Sequence, residues 1–140
     1  MISPLLSVLL MTSLYLNSYQ RGIDRALKSI PLCEKHLEAV KVSSTLSSRG
    51  RATQRVIEIS PFETGIDLKY TLSHECAHII DQYEPGWDDR RALFGRPPFV
   101  SRRTYNRTTM EDFAESYAAY VVGGRLSKKK HQYIQDLIDQ

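Results

Sequence analysis

Two histidines and a glutamate lie within about one helical turn in the segment His74-Glu75-Cys76-Ala77-His78. Histidines four residues apart project from the same face of a helix, so both imidazoles of this pair can bind one tetrahedral zinc ion. Glu75 lies about 100° round the helix, too far to be a third ligand but placed to reach a zinc-bound water as general base. The segment therefore predicts two zinc ligands and a catalytic base, and the site needs a further ligand from elsewhere in the chain.

Three carboxylates compete for the role of third ligand. Asp81 lies one turn beyond His78 on the same helix, and three ligands on one helix would all approach the metal from one side. Glu111 and Glu115 lie four residues apart on a later segment, where the small residue Ala114 would let two helices approach closely. If that second helix crosses the first near its start, Glu111 reaches the metal and Glu115 accepts a hydrogen bond from a ligand imidazole. An acidic first helical turn, favoured by the helix dipole, is the alternative explanation of Glu111.

The His-Glu-x-x-His segment, followed by Glu111-Asp-Phe-Ala-Glu115, resembles the gluzincin metallopeptidases, and most closely the catalytic-domain family of anthrax lethal factor. The resemblance covers roughly residues 72–122. It implies a minimal zincin-like α+β domain that hydrolyses peptide bonds. It also implies that the two motif histidines and Glu111 hold one Zn²⁺ ion, with Glu75 as the general base.

The resemblance assigns roles to further parts of the chain. Tyr105 is similar in setting to a family tyrosine that assists at the developing oxyanion, although it stands one residue closer to Glu111. Asp81 matches the acid that the family tends to carry after the second histidine, so it is expected to support the ligands together with Glu115. The family also has an edge strand that holds extended substrate. Arg55–Ser60 is the candidate strand, and we expect a protein or peptide substrate to pair with it.

The rest of the sequence predicts the elements that must position these residues. Apolar periodicity and stop signals predict three helices: Asp67–Tyr83, Thr109–Val122 and Lys128–Ile138. β-Branched residues predict a strand over Arg55–Ser60 with a partner over Val40–Ser43. An earlier helix is expected from Ile23 to about Val40, interrupted at Pro31. Ser43–Arg51 is expected to be a loop or hairpin connection, and Trp87–Thr109 an irregular connection. Helices combined with a few short strands indicate an α+β fold.

Residues 1–22 form an apolar segment whose first charge is Arg21. The apolar run is short for a membrane span, and it has the length of the hydrophobic part of a signal peptide without a preceding Lys or Arg. A signal or membrane anchor and a buried N-terminal helix are both open, and membrane association is expected only with an anchor. The compartment, cytoplasmic or secreted, stays open with them. Residues 23–140 are expected to form the metallopeptidase domain.

The composition of the 140-residue chain is that of one ordinary globular domain, because 41% of its residues are hydrophobic and 25% are charged. These fractions exclude a fibre and a disordered chain. The net charge of +3 and the single basic run Lys128-Lys129-Lys130, expected on a solvated face, give no specific support for nucleic-acid binding. Two cysteines are too few for a disulfide framework, and we expect Cys76 to be a free buried thiol.

Two other functions are compatible with the motifs. A binding or regulatory protein could use the same scaffold with little or no turnover, although an inactive scaffold has no need of the Glu75 carboxylate. A protease that acts on DNA-bound proteins would need a third histidine, for which His131 is the only later candidate. The connection between the two metal helices is rich in arginine, which would either select acidic substrates or solubilise a surface loop. These arginines are Arg90, Arg91, Arg96, Arg102, Arg103 and Arg107.

Overall fold

The computed structural model of the protein describes residues 4–95 and 109–140, and it describes side chains from Tyr15 onward. In chain order these residues form α1 (Pro4–Lys28), α2 (Cys33–His36), β1 (Ala39–Val42), β2 (Gly50–Thr53), β3 (Val56–Ile59), α3 (Gly65–Tyr83), α4 (Trp87–Leu93), α5 (Thr109–Val121) and α6 (Lys128–Ile138). The predicted α+β class is confirmed. The predicted bounds of α3, α5 and α6 agree with the structure to within about one helical half-turn.

The three strands form one sheet in the order β1-β3-β2, with β1 parallel and β2 antiparallel to β3. The strands predicted at Arg55–Ser60 and Val40–Ser43 are confirmed as the neighbours β3 and β1. The prediction that Arg55–Ser60 lies at the sheet edge is wrong, because β3 pairs on both sides and completely buries Ile57 and Ile59. The edge that contacts α3 is β2, which begins inside a segment predicted as a loop and has no large apolar side chain.

The hydrophobic core lies between the sheet and α3 and continues between α3 and α5. Leu72 and Cys76 of α3 are fully buried, as is Phe113 of α5. Ala114 and Ala118 are also fully buried, and their small side chains let α5 pack closely against α3. This close packing brings the first turn of α5 beside the middle of α3.

Helix α1 is continuous across the boundary expected at residue 22. Its second half packs on the core through Tyr19, Ile23 and Leu27, whereas Tyr15 and Leu16 are about half exposed. The part of the apolar segment that follows Leu16 therefore belongs to the folded domain. Among the helices of the described residues, none has both the length and the hydropathy needed to cross a membrane.

Besides β2, two segments depart from the predicted secondary structure. The helix predicted from Ile23 to Val40 ends at Lys28, and after the short α2 the chain enters β1. The connection predicted to be irregular from Trp87 begins with α4, which directly follows Gly86 in a left-handed conformation (φ +91°). Helices α2 and α4 have only four and seven residues, so their sequences show little periodicity and their tertiary contacts determine the conformation.

The side chain of Arg90 is fully buried and binds the C-terminal end of α3. Its guanidinium donates to the carbonyl oxygens of Asp81 at 3.0 Å, Glu84 at 2.9 Å and Pro85 at 2.8 Å. It also donates to the Asp81 carboxylate and, at 3.2 Å, to the Tyr133 hydroxyl. The last carbonyls of a helix lack partners within the helix, so this arginine satisfies α3 and anchors α4 to it. Because it is buried, Arg90 cannot select acidic substrates.

The cysteines form a disulfide, so the prediction of a free thiol at Cys76 is wrong. Cys33 begins α2 and is 1% exposed, while Cys76 lies in the middle of α3 and is fully buried. Helix α2 packs against α3 and brings the two Cα atoms to 5.5 Å, a separation that a disulfide spans. Such proximity between residues 43 positions apart cannot be read from the sequence.

The expectation that all three lysines at residues 128–130 lie on a solvated face is wrong for Lys130. This side chain is buried, and its Nζ lies 2.9 Å and 2.8 Å from the two carboxylate oxygens of the buried Asp112. Lys130 shares a helix face with the buried residues Ile134 and Leu137. Asp112 also accepts the backbone N–H of Gly95 at 2.6 Å. The pair therefore joins α6 and the end of α4 to the first turn of α5.

Candidate metal centre

Helix α3 presents His74 and His78 to a surface cleft, while its opposite face is buried. Leu72, Cys76 and Ile79 on that opposite face are at most 2% exposed. The two histidine side chains are 15% and 23% exposed, and their Nε2 atoms lie 3.3 Å apart. Packing of the apolar face fixes the rotation of α3 about its axis, so both imidazoles point at the same place.

Glu111 reaches the same place from α5. Its carboxylate oxygens lie 3.4 Å from His74 Nε2 and 3.1 Å from His78 Nε2. Ligand atoms bound tetrahedrally at about 2.0–2.1 Å from zinc lie roughly 3.3 Å apart. This value is close to the Nε2–Nε2 separation and to the distance from each Nε2 atom to a different oxygen of Glu111. Within residues 4–95 and 109–140, these three side chains form the one group of three or more His, Cys, Asp or Glu residues with a side-chain N, O or S atom of each within 4.8 Å of the others. Three protein ligands leave a fourth position for water or substrate, as in catalytic zinc sites.

Glu115 lies behind His74, one turn of α5 beyond Glu111. Its Oε1 is 3.4 Å from His74 Nδ1, and its Oε2 accepts a hydrogen bond from the Tyr70 hydroxyl. A carboxylate in this position holds the imidazole ring and favours the tautomer whose Nε2 can bind a metal. Tyr70 is absent from the residues expected at the site, although its position four residues before His74 places it on the same helix face.

Glu75 lies where α3 meets the edge strand β2. Burial raises the pKa of its carboxyl above the ordinary value of 4.5, against the lowering effects of the two motif histidines and of the Ala52 backbone. A raised pKa suits a carboxylate that must accept a proton near neutral pH. The neighbouring Gly50 cannot be replaced freely, because a Cβ there would lie 3.0 Å from Glu75 Cγ and 2.8 Å from Thr71 Cγ2.

The carboxylates of α5 make the cluster strongly attractive to cations. Burial lowers the pKa of His74, but hydrogen bonds to Glu111 and Glu115 outweigh this effect and raise the pKa to about 10. Hydrogen bonds from His74 and His78 hold the pKa of Glu111 far below its ordinary range. A metal ion would have to displace a proton from His74, since only the neutral imidazole is a ligand.

The other residues singled out from the sequence lie apart from this cluster or outside the described residues. Asp81 is buried and lines the cleft, but its carboxylate accepts a hydrogen bond from Arg90 Nε and so connects α3 to α4. Tyr105 lies outside the described residues, as do four of the six arginines of the connection. His131 lies on α6 with its ring 4.9 Å from that of Tyr120, and it is not part of the converging group.

The cluster lies where two cavities of one cleft meet. The larger cavity, about 740 Å³, extends past His78 to Trp87 and Met110. The smaller cavity, about 300 Å³, extends towards Tyr70 and Thr71. The wall common to both consists of Ser48, Gly50, His74, Glu75 and Glu111. A ligand that runs along the cleft would pass over the cluster with one part in each cavity.

Comparison of the chain with protein-family models, with curated proteins and with solved structures finds no match. A functional assignment therefore depends on the motifs and on the geometry of the cluster.

Proposed function

We propose that the protein is a zinc-dependent metalloendopeptidase of the gluzincin type with a zincin-like fold, related to the catalytic-domain family of anthrax lethal factor. The observation that most supports this proposal is the convergence of His74, His78 and Glu111 beside Glu75 in an open cleft. Two ligands and the base come from α3, and the third ligand comes from α5. This division lets the ligands approach a metal from two sides and leaves one position open.

Each side chain of the cluster has a role in peptide hydrolysis. A zinc ion held by these residues would supply a Lewis acid and would lower the pKa of a bound water to about 7. Glu75 faces the same cavity, where its carboxylate can accept a proton and later pass it to the leaving amine. Glu115 and Tyr70 hold the ring of His74 so that its Nε2 stays directed at the cluster.

The outer edge of β2 is the place where we expect an extended peptide to bind. In the described sheet β2 pairs with β3 alone, and Gly50, Arg51 and Ala52 line the larger cavity. A peptide added to this edge would form main-chain hydrogen bonds along β2 and bring a scissile carbonyl to the cluster. The strand predicted for this role, Arg55–Ser60, has neighbours on both sides, so β2 takes its place.

Metal analysis and cleavage-site profiling with a mixture of proteome-derived peptides test the proposal. The purified protein should hold about one zinc ion per chain and cleave peptides at neutral pH. The Glu75→Gln variant should keep its zinc and its fold but lose about 10²- to 10⁴-fold in kcat, because it lacks only the base. Glu34→Gln is the matched control, since it changes an exposed carboxylate of α2 and should leave the activity unchanged.

Two results would contradict this function in different ways. A protein without bound divalent metal, and without activity after zinc addition, has no metallopeptidase site. A protein that holds one zinc ion but cleaves no peptide would instead support the alternative of a binding or regulatory protein on a zincin scaffold.

A further inference from the structure

Two large apolar side chains are exposed in the larger cavity beside the cluster. Trp87 is 45% exposed and Met110 is 52% exposed, and both line this cavity. Trp87 begins α4, whereas Met110 precedes Glu111 on α5, so two separate helices bring them to one place. Exposed apolar side chains that share a concave site favour contact with an apolar group of a ligand.

The ring of Trp87 is held in position from two directions. The guanidinium carbon of Arg91, one helical turn later, lies 4.0 Å from the ring centroid. Helix α4 is itself anchored to α3 by the buried Arg90. A ring that is already ordered loses little conformational entropy when a ligand packs on it.

The charges around the larger cavity disfavour an acidic side chain. Among the described residues, four carboxylates line it, and Arg51, the one arginine or lysine of this lining, pairs with Glu58 at 2.9 Å. Three of the four carboxylates are already paired: Asp81 with Arg90, Glu84 with lysine and histidine side chains of α2, and Glu111 with the two motif histidines. A basic side chain would therefore gain little from them, and the exposed apolar surface decides the preference.

The smaller cavity differs in size and chemistry. It has less than half the volume of the larger one, and its own lining consists of Arg49, Tyr70, Thr71 and Glu115. Of the residues that the structure describes, neither a tryptophan nor a large aliphatic side chain is part of this lining. The two cavities on either side of the cluster are therefore suited to different side chains.

We infer that the larger cavity is a subsite for a large apolar side chain, aromatic or long aliphatic, on one side of the cleaved bond. Trp87 and Met110 are the specificity-determining residues of this subsite. The smaller cavity takes a small or polar residue on the other side of the bond. The assignment of substrate class rests on the proposed peptidase function, but the binding of an apolar group to Trp87 can be measured without turnover.

Trp87 is the one tryptophan of the chain, so its fluorescence reports directly on the larger cavity. Two hydroxamates, which chelate zinc and differ only in a benzyl or a methyl substituent, are titrated into the zinc-loaded protein. The benzyl compound should bind at least about tenfold more tightly, because its benzyl ring is removed from water on binding. It should also shift the emission of Trp87, because the indole ring is then shielded from water. The methyl compound should leave the emission nearly unchanged.

Calorimetric titration of three variants identifies the residue responsible. Trp87→Ala should reduce the benzyl preference to nearly equal affinities, whereas Trp87→Phe should keep most of it because an aromatic ring remains. Phe62→Ala is the matched control, since it removes an aromatic ring that is 82% exposed outside the cavity. Its benzyl preference should equal that of the wild type.

Peptide profiling then separates the subsite from the peptidase function. Selectivity for large apolar residues on one side of the cleaved bond, weakened in Trp87→Ala and kept in Phe62→Ala, is the expected result. Equal or undetectable binding of the two hydroxamates overturns the subsite, even if peptides are cleaved. A benzyl preference that depends on Trp87 in a protein that cleaves nothing keeps the subsite and removes the peptidase function. A preference unchanged in Trp87→Ala overturns the assignment to this residue.

Discussion

Glu111 and Glu115 stand one helical turn apart but occupy different positions relative to the histidines. The carboxylate of Glu111 lies within 3.4 Å of the Nε2 atoms of both histidines, whereas that of Glu115 lies behind His74 at Nδ1. We therefore expect Glu111→Ala to lose zinc affinity sharply, because a ligand is removed. Glu115→Ala should lose only about 10- to 100-fold, the usual effect of a residue that orients a ligand. Chelator-competition titration measures both affinities.

The variant Tyr70→Phe tests the next contact, the hydrogen bond that the Tyr70 hydroxyl donates to Glu115. It removes the hydroxyl that holds Glu115, so zinc affinity should fall less than in Glu115→Ala. Circular dichroism of each variant checks that the fold is kept. If Glu115→Ala is the variant that releases the metal, the ligand assignment is wrong by one helical turn.

Local spacing predicts the contacts within one helical turn, and the two motifs taken together predict that Glu111 and Glu115 approach the histidines. The spacing of His74, Glu75 and His78 places them on α3 because a helix has a fixed period. The contact of Tyr70 with Glu115 is different, since it joins residues 45 positions apart and depends on how α5 crosses α3. Arg90 is likewise buried by its contacts with the end of α3. Its neighbours in the sequence do not indicate this burial, because they are those of an ordinary connecting segment.

The sequence predicts the long secondary-structure elements better than the short ones. The helices α3, α5 and α6 have 11 or more residues each, so the apolar period and the stop signals are repeated enough to be recognised. The strand β2 has four residues, of which only Ala52 is apolar apart from Gly50. Its strand conformation follows from pairing with β3, and this tertiary contact cannot be inferred from four residues.

The close packing of β2 on α3 makes a specific prediction for Gly50. In Gly50→Ala the new Cβ would meet the side chains of Thr71 and Glu75 at 2.8 Å and 3.0 Å, so β2 and Glu75 must move apart. Since a displacement of about 1 Å at a catalytic group can reduce the rate 10²-fold, we expect kcat/KM to fall by about 10- to 100-fold with zinc content unchanged. Steady-state kinetics and metal analysis measure the two quantities.

A second substitution tests whether this contact is the cause. Thr71→Ser removes the methyl group that lies nearest the new Cβ, so the double variant Gly50→Ala/Thr71→Ser should recover part of the activity. Gly22→Ala in α1 is the matched control, because its Cβ would meet no atom within 4 Å. It should leave kcat/KM unchanged and stabilise the helix by up to about 1 kcal/mol. Equal activity of Gly50→Ala and wild type would show that β2 does not fix Glu75.

At the scale of the whole molecule, the disulfide ties the beginning of the sheet region to the centre of α3. It closes a loop of 43 residues that contains all three strands, which corresponds to about 4 kcal/mol of stabilisation through the unfolded chain. The double variant Cys33→Ala/Cys76→Ala should therefore have a free energy of unfolding lower by about this amount. Urea unfolding of the variant and of the oxidised wild type measures the difference.

Addition of a reductant provides the control for the disulfide prediction. It should lower the stability of the wild type towards that of the double variant and leave the variant unchanged. Thiol titration of the denatured, unreduced protein tests directly whether the two cysteines are oxidised. Two free thiols in that titration would mean that the disulfide does not form and that Cys76 is the free thiol expected from the sequence.

Glu84, at the end of α3, connects the same two elements by charge, and its effect should depend on pH. Its Oε1 lies 2.7 Å from Lys35 Nζ and 2.8 Å from His36 Nε2, and hydrogen bonds from these α2 side chains lower the pKa of the carboxyl below its ordinary value of 4.5. A carboxyl whose pKa is lower in the folded than in the unfolded state stabilises the fold above the unfolded pKa. This contribution is lost as the pH falls through the folded pKa.

The free energy of unfolding should therefore be lower in Glu84→Gln than in the wild type at pH 7, and the difference should shrink as the pH is lowered below about 4.5. The other titrating groups are common to both proteins, so their effects largely cancel in the difference. Glu34→Gln, a change on the exposed side of α2, should show no such pH-dependent difference. Urea unfolding of the three proteins at a series of pH values measures these free energies. If the difference between Glu84→Gln and the wild type stays constant from pH 7 to pH 3, the carboxylate charge does not hold α2 to the end of α3.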